Sequence, residues 1–138
     1  MKWKAAEQFS VPHNYLDDSG MLRKGSISAK KGESVVIPAN MRDGIILGMG
    51  KGNAVWNYSA PHGSGRKLRR DDVKNQYTVA AFKKEMKGIY SSCVSVDTLD
   101  EAPFAYRSIT EIAEQIRDTV EVTEIWKPVY NFKAGSRK

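Results

Sequence analysis

One short stretch gathers the residue types from which chemistry is made: Ser59-Ala60-Pro61-His62-Gly63-Ser64-Gly65-Arg66, continued by Lys67-Leu68-Arg69-Arg70. It sets one of the two histidines of the chain against two glycines, and four cations in five positions follow. Glycine lets backbone amides come close to an anion, and arginine offers a planar fork of donors that suits phosphate. A histidine at the lip of such a nest can serve as acid, base, nucleophile or metal ligand. On residue types alone, a turn followed by a solvated basic face explains the same letters.

The spacing of further blocks adds to this. His62-Gly63-Ser64-Gly65-Arg66 resembles the His-Gly-Ala-Gly-Arg signature of the RtcB family of tRNA-splicing RNA ligases. His13-Asn14-Tyr15, Arg23-Lys24-Gly25, Pro38-Ala39-Asn40-Met41-Arg42-Asp43-Gly44, Trp56-Asn57-Tyr58-Ser59, Met86-Lys87-Gly88-Ile89-Tyr90, Asp100-Glu101-Ala102-Pro103 and Lys127-Pro128 through Lys133-Ala134 resemble other blocks of that family, in family order. The resemblance covers almost the whole chain but only the C-terminal third or so of a full-length member.

Members of that family join a 3′-phosphate or 2′,3′-cyclic phosphate RNA end to a 5′-hydroxyl, using GTP and manganese (Mn2+) through a guanylylated histidine. The resemblance therefore implies His62 as the guanylate acceptor and His13 as a manganese ligand. It implies Ser64 and Gly65 as amide donors to the guanylate, and Asn40, Tyr106 and Lys133 as further nucleotide contacts. Arg66 and Arg70 match arginines that hold phosphates of RNA or nucleotide, whereas Lys67 and Arg69 read as solvated charges. Two departures stand out: Ser64 replaces the usual alanine, and Arg69 replaces a frequent serine. The remaining metal ligands, including an aspartate, a cysteine and two histidines, would belong to an N-terminal portion that this chain does not match. That portion supplied in trans, RNA ends such as tRNA halves or broken RNA, and GTP are the expected partners. The alternative is a non-catalytic basic RNA-binding fragment without a complete metal site.

Composition agrees with either reading. The chain has 138 residues, 41% hydrophobic and 28% charged, with a formal net charge of +6, which favours polyanionic partners. Its one cysteine, Cys93, excludes an internal disulfide framework and reads as a small buried residue on a strand, Ser91 to Val96. No apolar run reaches membrane-spanning length and the N-terminus lacks a signal-peptide core, so a cytoplasmic protein without membrane contact is expected.

The elements that must position these residues read as one α+β domain over residues 1–134, with mixed or antiparallel strands, about two helices and a loose tail at 135–138. Strands are expected at Met21–Ala29 and Ser34–Ile37, joined by a hairpin turn at Lys30–Glu33, and at Ile45–Leu47. Gly48, Gly50 and Gly52 are expected to open a flexible loop toward His62. One helix is expected from Asp71 to Gly88, and a second from the capping box Ser108-Ile109-Thr110-Glu111 to about Arg117. Thr119–Ile125 and Val129–Phe132 read as the last strands. Arg23 and Lys24 fit either phosphate contacts or a solvated strand end.

Overall fold

In the computed structural model, which describes residues 10–132, two short ribbons meet at a single glycine. Strand β1 (Asn14–Leu16) pairs antiparallel with β2 (Leu22–Lys24). Their connecting turn is held by the Asp17 carboxylate, which accepts from the amides of Ser19 at 3.0 Å and Met21 at 2.9 Å. Gly25 then adopts a φ of 65°, a left-handed conformation that ends one ladder and starts another. The expected strand from Met21 to Ala29 is therefore two strands. The second, β3 (Ser26–Ser28), pairs with β6 (Ser59–Pro61).

Strands β4 (Ser34–Pro38), β5 (Ile45–Gly50) and β8 (Val120–Trp126) form an antiparallel sheet with β5 in the centre. The Lys30–Glu33 turn is present, closed by Glu33 N–H on the Lys30 carbonyl at 3.0 Å, but it links strands of separate sheets instead of making a hairpin. Gly48 and Gly50 lie inside β5 and not in a loop. A Cβ on Gly48 would stand 2.5 Å from the Glu121 carbonyl oxygen, and one on Gly50 would stand 2.3 Å from that of Lys30. Backbone passes directly over both, so only glycine fits.

Helix α3 (Ile109–Gln115) covers this sheet. Ser108 and Glu111 make the reciprocal capping box expected of them, with Glu111 accepting the Ser108 N–H at 2.8 Å. Ile112 and Ile116 pack with Ile27, Val35, Ile37, Ile46 and Val120 into one core. Each such side chain taken out of water contributes roughly 1.5–3 kcal/mol.

A second core lies on the other side of residues 63–66. Its helices are α1 (Arg70–Gln76) and α2 (Val79–Glu85), where a single helix was expected. Tyr77 is extended and stacks on Phe104 with ring centroids 4.0 Å apart, and Thr78 Oγ1 caps α2 by accepting the Ala81 N–H at 3.2 Å. Val73 and Phe82 are fully buried with Leu99, Ala102 and Ala105. Cys93 is buried here as expected, yet the strand predicted around it shrinks to β7 (Tyr90–Ser91), paired parallel with β9 (Tyr130–Asn131). Among the described residues, nine strands and three α-helices make an α+β fold, with one helix more than the two or so expected. No helix among the described residues is long and apolar enough to cross a membrane. The tail at 135–138 lies outside the described residues.

Candidate active site

Strand register explains how two histidines 49 positions apart in sequence come together. Asn14 faces Lys24 in the first ribbon, so the next position outward sets His13 opposite Gly25, whose N–H donates to the His13 carbonyl at 2.8 Å. Ser26 faces Pro61 in the second ribbon, so the next position outward sets His62 opposite the same glycine. The two imidazoles stack with centroids 4.8 Å apart and planes inclined by 29°. Gly25 is the crossing point of the two ladders, a role its own stretch of sequence does not reveal. The local signal is a glycine bounded by strand-like residues.

His62 is exposed, and its Nδ1 lies 2.5 Å from the Gly25 carbonyl oxygen. A carbonyl only accepts, so Nδ1 is the donor of this contact, and in the neutral ring the lone pair then lies on Nε2. Among the described residues Nε2 has no hydrogen-bond partner. The ring is thus oriented through one nitrogen and available through the other.

After His62 the chain crosses between the two cores. Ser64 is buried, donating Oγ–H to the Ala39 carbonyl at 2.7 Å and N–H to the Pro38 carbonyl at 3.2 Å. Its amide is therefore engaged by the Pro38 carbonyl in this structure. The Gly65 amide makes no hydrogen bond among the described residues, and the residue has a φ of 66°.

The arginines are more heavily committed than expected. Arg66 donates to the Asp100 carbonyl, to Tyr106 Oη at 2.8 Å, to the Leu68 carbonyl at 3.2 Å and to Glu101 at 3.4 Å. Its guanidinium also lies over the Tyr106 ring, 4.9 Å from the centroid. Arg70 donates to the Asp100 carboxylate and to Glu101 at 2.8 Å, while most of its side chain stays exposed. Tyr106 donates to Glu101 at 2.5 Å. Burial first, and the Glu101 carboxylate second, push its hydroxyl up to about 12, so it stays protonated. Asp100 and Glu101 are the participants missed from sequence, where only their place in a block was noted.

Of the lesser cations, Lys67 pairs with Glu111 at 2.9 Å and Arg69 is exposed. Arg23 is buried, bonded to Asp17 at 2.5 Å and reaching the Asn57 carbonyl at 3.5 Å, which places it in the scaffold and away from phosphate. Asn40 is turned inward too. Its oxygen accepts from the amides of Arg42 at 3.0 Å and Asp43 at 2.9 Å, and its nitrogen donates to the Asp43 carboxylate.

These residues nevertheless share one place. A cleft of about 520 Å³ is lined by Asn40, His62, Ser64, Gly65, Arg66, Arg70 and Tyr106, with Glu101 among them. His13 lines a separate hollow of about 250 Å³ that also touches His62, so the His62 ring stands in the wall between the two. Lys133 lies outside the described residues. No three His, Cys, Asp or Glu side chains among the described residues are grouped to hold a metal ion.

Comparison with known proteins adds an independent line. Residues 2–134 match the family model described as tRNA-splicing ligase RtcB. The chain is 28% identical over 125 residues to the RNA-splicing ligase RtcB of Escherichia coli K12, covering 86% of this chain and 30% of that protein. It is 35% identical over 109 residues to the tRNA-splicing ligase RtcB of Aeropyrum pernix, covering 75% of this chain and 20% of that protein. The chain thus spans less than a third of the length of the curated relatives it matches.

Proposed function

The chain belongs to the RtcB family, and from that premise we propose that it is the C-terminal, guanylate-accepting portion of an RNA ligase. In this reading it joins a 3′-phosphate or 2′,3′-cyclic phosphate RNA end to a 5′-hydroxyl end, its substrates being tRNA halves or other broken RNA. The observation that carries the reading is His62: one ring nitrogen tied to the Gly25 carbonyl, the other bare, in the wall of a cleft that collects seven of the expected site residues.

The cleft suits a nucleotide in size and lining. GTP, when bound, supplies an α-phosphorus on which a nitrogen nucleophile can replace pyrophosphate, splitting a hard substitution into easier steps. His62 offers Nε2 with its lone pair already exposed, so no base has to remove a proton first. Gly65 brings a bondless amide to the same wall, and Arg66 and Arg70 place positive charge along it. Tyr106, held protonated, contributes a donor and no anion. Lys133 is assigned a nucleotide contact on the family resemblance alone.

The described residues do not by themselves fit a manganese ion, because His13 and His62 provide imidazoles with no third ligating side chain grouped beside them. In this proposal His13 supplies one ligand and an N-terminal portion supplied in trans brings the rest. The same shortage of donors supports a second reading, a non-catalytic RNA-binding fragment that keeps the phosphate contacts.

Intact-mass measurement after incubation with GTP and manganese separates the two. The chain alone is expected to take up little guanylate and to show little or no ligase activity. With the N-terminal portion of a relative added, one guanylate per chain is expected, and none in His62→Ala. An adduct that survives His62→Ala, or no adduct even with the added portion, overturns the ligase reading.

A further inference from the structure

A second cavity, of about 430 Å³, lies behind the Gly63–Gly65 turn and shares that turn as a wall with the His62 cleft. None of the roles assigned above uses it. Its lining combines an apolar floor from Ile112 and Ile116 with two side chains of a different kind, Trp56 and Arg107.

Trp56 is 58% exposed, an unusual position for a large indole. The segment that carries it is firmly pinned. Asn53 caps the short 3-10 turn Ala54–Trp56 through Val55 N–H at 3.0 Å and donates to the Asp118 carbonyl at 3.0 Å. The two following residues, Asn57 and Tyr58, both adopt left-handed φ, 50° and 52°, although neither is glycine. Strain of this kind persists only where the surroundings enforce it, and here it keeps an indole at the mouth of a cavity.

Arg107 is half-buried, and its guanidinium has no hydrogen-bond or ion-pair partner among the described residues. That separates it from Arg66 and Arg70, which are engaged by Asp100 and Glu101. Its Nη1 lies 2.8 Å from the position a Cβ on Gly65 would take, so the unused cation stands directly against the turn after His62. An aromatic face and an uncommitted guanidinium on one cavity are the two elements by which single-stranded nucleic acid is held, one for the base and one for the phosphate.

We propose that this cavity is a subsite for one nucleotide of a single-stranded RNA, its base stacked on Trp56 and its phosphate held by Arg107. The assignment rests on the ligase reading for its biological sense, since a strand crossing the Gly63–Gly65 wall would present its end beside His62. It rests on the cavity alone for its chemistry.

The test titrates a fluorescein-labelled single-stranded oligoribonucleotide bearing a 3′-phosphate with the full chain, following anisotropy. Trp56→Ala is expected to weaken binding about tenfold, as loss of one base stack does, and Trp56→Phe to retain most of the affinity. Arg107→Ala is expected to weaken binding about fivefold and to lower the slope of log affinity against log salt by about 0.7, the value for one lost phosphate contact on a single strand. Guanylate uptake by the wild-type chain, with the N-terminal portion added, is measured in parallel. RNA binding that depends on Trp56 and Arg107 without any adduct overturns the ligase reading and leaves the subsite standing. An adduct with RNA binding indifferent to both substitutions overturns the subsite and leaves Trp56 as an apolar contact for a protein.

Discussion

The two flanks of the Gly63–Gly65 turn are built on opposite rules. On one side His62 makes a single hydrogen bond, to the Gly25 carbonyl, and keeps the rest of its ring open against His13. On the other, Arg66 and Arg70 meet Asp100 and Glu101, so that two guanidinium charges face two carboxylates. The formal charge of +6 is therefore not the charge of the site. The two flanks divide the labour. The histidine flank is oriented through one contact and otherwise open, whereas the arginine flank is a closed network in which any added anion would compete with carboxylates.

Disturbing the histidine flank should have the larger effect. Gly25→Val puts a β-branched residue at a φ of 65° and sets its Cβ about 3.5 Å from the His62 ring. Under the proposed ligase function, a misplacement of the His62 ring on the order of 1 Å is expected to cost about 100-fold in guanylate uptake. Stopped-time mass measurements on the complemented chain check this, with circular dichroism confirming the fold. Uptake within about twofold of wild type would show that Gly25 does not set the ring.

A smaller effect is expected on the arginine flank. Glu101→Gln removes one competing carboxylate while keeping the shape of the side chain. Affinity for a 3′-phosphorylated RNA should rise by about threefold to tenfold at low salt, and its salt dependence should steepen. The Tyr106 hydroxyl should also fall from its raised value toward the ordinary range, though not all the way, because burial is the larger cause. Phenolate absorbance against pH reads that shift, and an unchanged titration would mean that Glu101 does not govern the flank.

The smallest effect belongs to the cap that joins the flanks. Lys67, followed by the N–H and hydroxyl of Ser108, holds Glu111 at about 2, below its ordinary 4.5. A carboxyl lowered by folding adds stability above its unfolded value, and that stability drains away as pH falls toward the folded one. Thermal stability should thus be flat from neutrality to about pH 4.5 and decline toward pH 2. Ser108→Ala should cost about 1 kcal/mol at neutral pH and make that decline shallower.

How much of this was legible in the sequence follows from range. The Ser108–Glu111 box, β4, β8 and the covered Ile45–Leu47 run depend on neighbours a few positions apart, and they lie where local pattern put them. The convergence of Tyr106, Arg70 and His62 on one cleft was legible only through ordered blocks. What escaped depends on distant backbone. Gly48 and Gly50 looked like loop because nothing in their own segment reveals the Glu121 and Lys30 carbonyls above them. Thr78 was hidden inside an apolar spacing that continued across it, and its capping signal was overlooked. Arg23 could be read as solvated until its burial beside Asp17 was seen. Asn40 and Ser64 matched expected contacts, yet their polar atoms are turned onto the Asp43 segment and the Pro38–Ala39 carbonyls.

The central claim is that the Gly25 carbonyl fixes the proton of His62 on Nδ1 and leaves Nε2 bare. With only two histidines in the sequence, long-range ¹H–¹⁵N correlation spectra of ¹⁵N-histidine-labelled chain at alkaline pH, assigned with His13→Ala, test it directly. The account predicts a protonated Nδ1 and an unprotonated Nε2 for His62, with that preference lost in Gly25→Val. A His62 ring that carries its proton on Nε2 in the wild-type chain would contradict it.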